Sequence, residues 1–504
     1  MAPNPTTRML TTREVLRLVF EYCDRRDNGR NALVSKNWSN EALPFVWSSI
    51  ETLRPLLNLL APLDVVTDAT GERKYRFRRP IRPACWVVFL KYSRHVHEIK
   101  SMREKFCDSV FTYIASSRPV IELLPNLRRL NYMNGPESFL PVFLHLKLTQ
   151  LRLSIDFLDW DQRGTRWLIS YLPDRAPNLE YLRLDATRSA DAPPELGLDT
   201  VIGSLSRLRK LSTSSSLLTP SLLHALSLLP CLESLRVKFP MSVDIRPTKV
   251  AVPSFARDDG FPALKSLELE SYSFEVVAPI LELYRLDHLV HLSVDSFARE
   301  PVGEYVNIFS IASTYCPRLQ SLELESLPQA TKQPIDPTIF FQPLCRCSSL
   351  TALTLSNPVP LCLDTKTLIA IVTSLPFLHT LCLEEQSTVP PTLPLSSLVE
   401  LAPRCPRLER LTLYMDTFLC PPCTTEEHHF EPFKALKILS VGTSPFRSSL
   451  KAVTAFLIGV LPRHCNLHHT FDYDNDDELA SVNSERWFRA AEILSRATNI
   501  STVE

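Results

Sequence analysis

Residues 317–324 read PRLQSLEL, a proline followed by leucines with the spacing L-x-x-L-x-L. The same pattern recurs along the chain, for example as PALKSLEL at 262–269 and PRLERLTL at 406–413. The first leucine of successive copies returns about every 28 residues between Leu127 and Leu436, and about twelve copies are recognisable. One repeating unit therefore dominates the chain.

Each copy predicts one strand and one returning helix. The alternating L-x-L ending predicts a short strand whose leucines point to one face and whose intervening residues point to the other. Stretches between copies, such as SLLTPSLLHALSLLP at 216–230, carry apolar residues at helical spacing. Proline before the next copy ends the helix because it lacks an N–H donor, which accounts for 41 Pro against 10 Gly. Since one copy cannot bury its apolar face alone, the sequence predicts an α/β solenoid of stacked copies.

Composition excludes several classes of protein. The 504 residues include 55 Lys+Arg and 55 Asp+Glu, so no global attraction to nucleic acid or to a membrane is expected. No segment reaches the roughly 18 apolar residues of a membrane span, and the amino terminus lacks a secretory signal. Thirteen cysteines, an odd number, favour reduced thiols and a cytoplasmic or nuclear location. The common nucleotide-binding, hydrolase and metalloprotease motifs are absent from the sequence, so we expect a protein without a cofactor that is not an enzyme.

The amino-terminal segment predicts a small all-α domain over residues 10–50. REVLRLVFEYCD at 13–24 places apolar side chains on one helical face, and Thr11 with Glu14 fits a capping box. NALVSKNWSNEALPFVWSSI at 31–50 supplies further apolar and aromatic side chains. A domain of this size is marginally stable alone, so we expect it to share its apolar positions with a neighbouring domain or another protein.

This segment resembles the F-box, and with the repeats the chain resembles the F-box/leucine-rich-repeat family, especially its fungal members. Two departures from the F-box pattern occur: Thr11-Thr12 replaces the usual Leu-Pro pair, with Leu10 lying one residue early, and Ser35 replaces a cysteine. The matches to the pattern, in chain order, are Glu14, Val15, Leu16, Val19, Phe20, Val34, Lys36, Trp38, Leu43 and Trp47.

The resemblance implies the substrate-recognition subunit of an SCF-type ubiquitin ligase. In that family the F-box binds a Skp-type adaptor, and through it cullin, while the leucine-rich-repeat solenoid binds the protein substrate. A different interpretation is that the helices only cap the open end of the repeats, leaving a leucine-rich-repeat scaffold with no ligase role. The side chains expected at the adaptor are Leu10, Val15, Leu16, Val19, Phe20, Val34, Trp38, Leu43 and Trp47.

Domain boundaries follow from these patterns. The connector contains GERKYRFRRPIRP at 71–83, whose basic residues alternate with aromatics. Such a segment can bind nucleic acid or an import receptor, but the zero net charge favours a solvated loop. The predicted segments are a tail at 1–9, the F-box-like domain at 10–50, a helical connector with a degenerate first repeat at 51–120, the solenoid at 121–460, and an acidic loop with a capping helix at 461–504.

The strongest candidate metal ligands are Cys420 and Cys423, followed by His428 and His429. Adjacent histidines do not easily point at one metal ion, so a loop between two copies is the favoured interpretation. A zinc-dependent enzyme is therefore the most distant functional hypothesis.

Charged residues at outward strand positions predict where a substrate binds. Early copies place basic residues there, including Arg183, Arg236 and Lys238, whereas the middle copies place acidic ones. Stacking in register would align the acidic side chains into a stripe that attracts a basic segment of the substrate. A merely solvated strand face is the alternative. The residues of this stripe are Glu268, Glu270, Asp295, Glu323, Glu325 and Glu384.

Overall fold

The structure is a computed structural model that contains two compact units, of which the first ends at Leu232 and the second begins at Glu233. No helix in its described part is both long and apolar enough to cross a membrane. The described residues are 12–67, 71–102, 104–133, 137–155, 169–186, 197–238, 260–270, 273–327, 335–356, 361–384, 390–418, 431–469 and 478–499.

The first unit begins with helices and continues with alternating strands and helices. Its elements in chain order are α1 (Arg13–Glu21), α2 (Arg25–Asn31), α3 (Lys36–Ser48), β1 (Ser49–Ile50), α4 (Arg54–Leu57), β2 (Leu63–Thr67), β3 (Arg73–Phe77), α5 (Pro83–Ser93), β4 (Glu98–Ile99), α6 (Asp108–Ser117), β5 (Arg129–Tyr132), β6 (Gln150–Ile155), α7 (Leu172–Arg175), β7 (Tyr181–Ala186), α8 (Leu198–Gly203), β8 (Lys210–Ser214) and α9 (Pro220–Ser227).

The strands of the first unit form a parallel sheet in the order β1, β4, β5, β6, β7, β8. This sheet begins at Ser49, well before the predicted start of the repeats at residue 121, because two short strands precede the first full copy. Strands β2 and β3 pair separately as an antiparallel hairpin.

The hairpin corrects the prediction of a basic loop at 71–83. Arg73–Phe77 is a strand in which Phe77 is buried and Tyr75 packs against Phe106, with ring centroids 5.8 Å apart. The Tyr75 N–H donates to the Lys105 carbonyl and its own carbonyl accepts from Cys107, which fixes the strand on its second side. The alternation of basic and aromatic residues therefore reflects the two-residue period of a strand.

The second unit repeats strand and helix more regularly. Its elements are β9 (Ser234–Lys238), β10 (Ser266–Glu270), α10 (Phe274–Tyr284), β11 (His291–Asp295), α11 (Val302–Tyr315), β12 (Ser321–Glu325), α12 (Pro337–Phe341), β13 (Ala352–Ser356), α13 (Thr365–Ser374), β14 (Thr380–Glu384), α14 (Ser397–Leu401), β15 (Arg410–Thr412), β16 (Ile438–Ser440), α15 (Leu450–Val460), β17 (Asn466–His468) and α16 (Glu478–Asn499).

Strands β9 to β17 are parallel and lie side by side in chain order, so the predicted α/β class with a parallel sheet is confirmed. Equivalent leucines of successive copies stand opposite one another: Leu267 pairs with Leu292, and Leu292 with Leu322. All three are buried. Each buried leucine contributes about 1.5–3 kcal/mol to stability, which explains why the leucine positions repeat so strictly.

Proline ends a helix where the repeats predict, and buried cysteines precede two of the copies. Helix α11 ends at Tyr315, and Pro317 follows its C-cap residue Cys316. Burial raises the pKa of the Cys316 thiol to about 12 and that of Cys405 to about 11. These thiols therefore stay protonated and act as small apolar side chains.

Candidate functional site

Polar side chains define where the amino-terminal helices begin. Helix α1 follows the N-cap residue Thr12, one residue later than the predicted capping box requires, and the Thr12 side chain makes no capping bond. Asp24 caps α2, because its Oδ1 accepts from the Asp27 N–H at 2.7 Å. Ser35 caps α3 and accepts from the Trp38 N–H at 3.2 Å. The serine that departs from the F-box pattern thus supplies a preferred capping hydroxyl.

The helices share a small apolar core. Leu16, Phe20 and Ala42 are its buried members, and Trp38 packs edge-on against Phe20 with ring centroids 5.3 Å apart. The buried Asn28 amide donates from Nδ2 to the Phe20 carbonyl at 2.8 Å and to the Cys23 carbonyl at 3.1 Å, which ties the end of α1 to α2. Leu16 and Phe20, two of the residues predicted at the adaptor, are therefore enclosed in the protein's own core.

Other predicted adaptor residues remain available to a partner. Val19 is 48% exposed and Val34 is 62% exposed. Leu18 and Tyr22, which sequence reasoning did not single out, are exposed as well, and so is Leu33, one of the apolar side chains of residues 31–50. Leu18 and Tyr22 lie four residues apart and so share one side of the α1 region. Leu16 and Phe20 therefore pack in the core, whereas these other apolar side chains face solvent.

The remaining predicted adaptor residues are half-buried or lie outside the described residues. Trp47 packs against Tyr92 of α5, with ring centroids 5.2 Å apart. Val15, Trp38 and Leu43 are half-buried. Leu10 lies outside the described residues. Of the residues predicted to contact the adaptor, some therefore lie in the core, Trp47 packs against a neighbouring helix, and others face solvent.

In the second unit, the acidic residues predicted to contact a substrate fall into two rows across the sheet. Glu270, Asp295 and Glu325 are register neighbours on β10, β11 and β12. Neighbouring strands lie about 4.8 Å apart, so these carboxylates crowd one another. Ser356 follows Glu325 in the same row and separates it from Glu384. We call Glu270, Asp295 and Glu325 the acidic row; Glu268 and Glu323 lie in the second row with Ser293 between them.

Two of these acids are neutralised by the preceding strand. Arg236 forms an ion pair with Glu268, and the Nζ of Lys238 lies 3.9 Å from Glu270 Oε1. The separate basic and acidic surfaces predicted from sequence therefore meet as ion pairs on β9 and β10. Among the described residues no lysine or arginine forms an ion pair with Asp295, Glu323 or Glu325.

Crowding changes the acidity of the middle carboxylate. Burial, together with the negative charges of Glu325 and Glu270, raises the pKa of Asp295 to about 6. A positive charge placed beside Asp295 would relieve this repulsion. The acidic row can therefore attract a basic side chain.

A pocket that sequence reasoning missed lies at the carboxyl ends of β14 and β15. Leu363, Leu383 and Leu413 line it together with Pro390 and Pro391. Glu384, the last residue of the predicted stripe, directly follows Leu383. The consecutive prolines were the available signal, since they interrupt the repeat pattern at a strand end.

The candidate zinc ligands Cys420, Cys423, His428 and His429 lie outside the described residues. Within the described ranges, no group of three or more His, Cys, Asp or Glu side chains is arranged to hold a metal ion. The comparisons with known proteins gave no match, neither to a family model nor to a curated protein.

Proposed function

We propose that this protein is the substrate-recognition subunit of an SCF-type ubiquitin ligase. The observation that carries the proposal is the exposure of Val19 and Val34 beside a core that Leu16 and Phe20 already close. Exposed apolar side chains next to a complete core are typical of a surface that binds another protein. The F-box resemblance assigns both exposed valines to contact with a Skp-type adaptor.

In this proposal the parts of the chain have separate roles. The helices α1 to α3 bind the adaptor, and through it cullin. The strands and helices that follow form a leucine-rich-repeat solenoid that binds the substrate. The acidic row, with Glu268, Glu323 and Glu384, takes a basic segment of that substrate. The chain positions the substrate for ubiquitin transfer and performs no chemistry itself.

Co-purification with a Skp-type adaptor tests the first role. We expect the wild type to bind and the double variant Val19→Asp with Val34→Asp to lose binding, because two buried charges would lie in the interface. The control is Val87→Asp with Ile121→Asp, which changes two exposed apolar residues elsewhere in the first unit. Failure of the wild type to bind would refute the proposal.

Binding of a fluorescent arginine-rich peptide tests the substrate role. We expect the double variant Glu323→Lys with Glu325→Lys to weaken its Kd at least about tenfold, because neither side chain has an ion pair to lose. Glu282→Lys with Glu400→Lys is the control at exposed acids on helices. Equal affinity for all three proteins would remove the acidic row from the proposal.

The contact between Trp47 and Tyr92 favours a second candidate, a scaffold in which the helices only cap the repeats. Under that function Trp47→Ala would destabilise the first unit, and no adaptor would bind. Adaptor binding by the wild type therefore separates the two candidates.

A further inference from the structure

We propose that the hairpin of β2 and β3, with residues 78–82 that lead into α5, binds an anionic segment of a partner protein in an extended conformation. We call this region the basic hairpin. The inference goes beyond the proposed function, because it uses neither the exposed valines of the amino-terminal helices nor the acidic row.

The first observation is uncompensated charge. Arg73, Arg76, Arg79 and Arg82 are exposed, and none of them forms an ion pair with an acidic side chain among the described residues. The nearest acid in the strand register is Asp64, which stands opposite Arg76. Their neighbour Arg78 does form an ion pair, with Nε 3.9 Å from Asp64 Oδ2.

Three other basic residues on or beside strands of the same unit have acidic partners. Arg129 pairs with Glu98 at 3.0 Å and Lys100 with Glu51 at 2.9 Å. Lys105 also pairs with Glu72. The four arginines of the basic hairpin have no such partner and lie within ten residues of one another, so a second molecule could supply the negative charge.

The amino terminus of α5 adds to this positive potential. Arg82 is the N-cap residue of an 11-residue helix, its side chain makes no capping bond, and the first turn contains no acidic residue. The free N–H groups at a helix start carry partial positive charge and favour an anion. Arginine at this position is electrostatically unfavourable in the isolated protein, and a bound anion would reverse the penalty.

The geometry fits an extended peptide. Arg73, Arg76, Arg79 and Arg82 recur at every third residue of the segment 73–82, of which 73–77 is strand. Pro80 and Pro83 restrict Arg79 and Arg82 to extended backbone, and Arg82 has φ −89 and ψ 143. Acidic groups spread along an extended peptide could therefore meet several of these arginines.

The aromatic residues of the basic hairpin are engaged within the protein, which argues against single-stranded nucleic acid. The Arg54 guanidinium lies 4.9 Å from the Tyr75 ring centroid, and Phe77 is buried. Unpaired bases need exposed aromatic faces on which to stack. Arginine forks instead suit carboxylates or phosphates, which each accept two parallel hydrogen bonds.

Fluorescence anisotropy with three probes tests the proposal: a peptide with glutamate at alternate positions, the same peptide with phosphoserine at those positions, and a single-stranded RNA of equal charge. We expect one of the peptides to bind, and the tighter peptide identifies carboxylate or phosphate as the ligand group. Replacing Arg73, Arg76, Arg79 and Arg82 by glutamine should weaken its Kd at least about tenfold. Glutamine at Lys366, Lys434, Lys451 and Arg463, exposed cations of the second unit, should leave it unchanged.

Three results would overturn the proposal: no binding of either peptide, an equal loss in the control, or tighter binding of the RNA. Circular dichroism verifies that the variants fold. If the glutamine variant loses its helical signal, a variant with lysine at the same four positions replaces it in the test. Lysine keeps the positive charge but lacks the forked guanidinium group of arginine. An affinity equal to the wild type's would then contradict recognition by arginine.

Discussion

Val19 and Phe20 are adjacent in the chain, yet one faces solvent and the other lies in the core. The sequence pattern places both on the apolar side of one helix. Periodicity alone does not tell which residues of that side face the core and which face solvent. Packing decides this, because Trp38 and Ala42 of α3 cover Phe20 and leave Val19 free. The predicted adaptor set was therefore a mixture of core and surface residues, and only a tertiary structure separates them.

Asp295 provides a test at the same scale. Its pKa is raised from 3.8 to about 6, so its stabilising contribution is complete below pH 3.8 and is lost as the pH rises through 6. We expect Asp295→Asn to be more stable than the wild type above pH 7, by about 1 kcal/mol after allowance for solvent screening. Urea unfolding at pH 4 and pH 8 measures this difference. A stability gain of the same size at both pH values would show that charge is not its cause.

The pairing of β9 with β10 illustrates the element scale. Arg236 and Glu268 each lie between the two buried apolar residues of their strand, and a parallel sheet in constant register makes them neighbours. This ion pair was predictable from the repeat alignment, since equivalent positions of adjacent copies always meet. The hairpin was less predictable, because its strands belong to no copy of the repeat.

Glu300 links two successive repeats and yields the second prediction. It lies between β11 and α11, yet its Oε1 accepts from the Phe274 N–H at 3.2 Å, at the start of α10. The side chain of the N-cap residue Ser273 makes no capping bond. The Glu300 carboxylate, which belongs to the next repeat, accepts a hydrogen bond at the start of this helix in its place. Glu300→Ala should cost about 1–3 kcal/mol of unfolding free energy.

Glu300→Gln is the matched control. It keeps an oxygen acceptor without charge, and burial raises the pKa of Glu300, so this variant should be at least as stable as the wild type at neutral pH. Thermal unfolding of the three proteins measures the effect. Equal destabilisation by Ala and Gln would mean that the carboxylate acts through its charge and does not act as a cap.

For the whole molecule, the strand positions and the α/β class followed from the leucine pattern, but the extent of the sheet did not. Strands β1 and β4 are each two residues long, too short to show an L-x-L signature. They pair because the neighbouring strand offers free N–H and C=O groups. Such groups become available only once the sheet has assembled, so the sequence pattern does not reveal the pairing. Any candidate site that depends on side chains from different elements is hidden from sequence for the same reason.

Repeats that contact chiefly their neighbours predict unequal local stability within the second unit. Strand β12 has five residues and two five-residue neighbours, whereas β16 has three residues. We expect amide hydrogens of β12 to exchange at least about tenfold more slowly than those of β16. Hydrogen exchange read by mass spectrometry tests this. Uniform protection across both strands would show that the unit opens only by global unfolding.

Helix α16 packs against β17, the last strand of the sheet, and its Trp487 is buried with Nε1 donating to the Ser444 carbonyl at 2.8 Å. A parallel sheet whose final edge stays open is a template for another chain, and a head-to-tail addition of this kind has no natural end. Helix α16 lies against this strand, so a second chain that added to β17 would meet the helix.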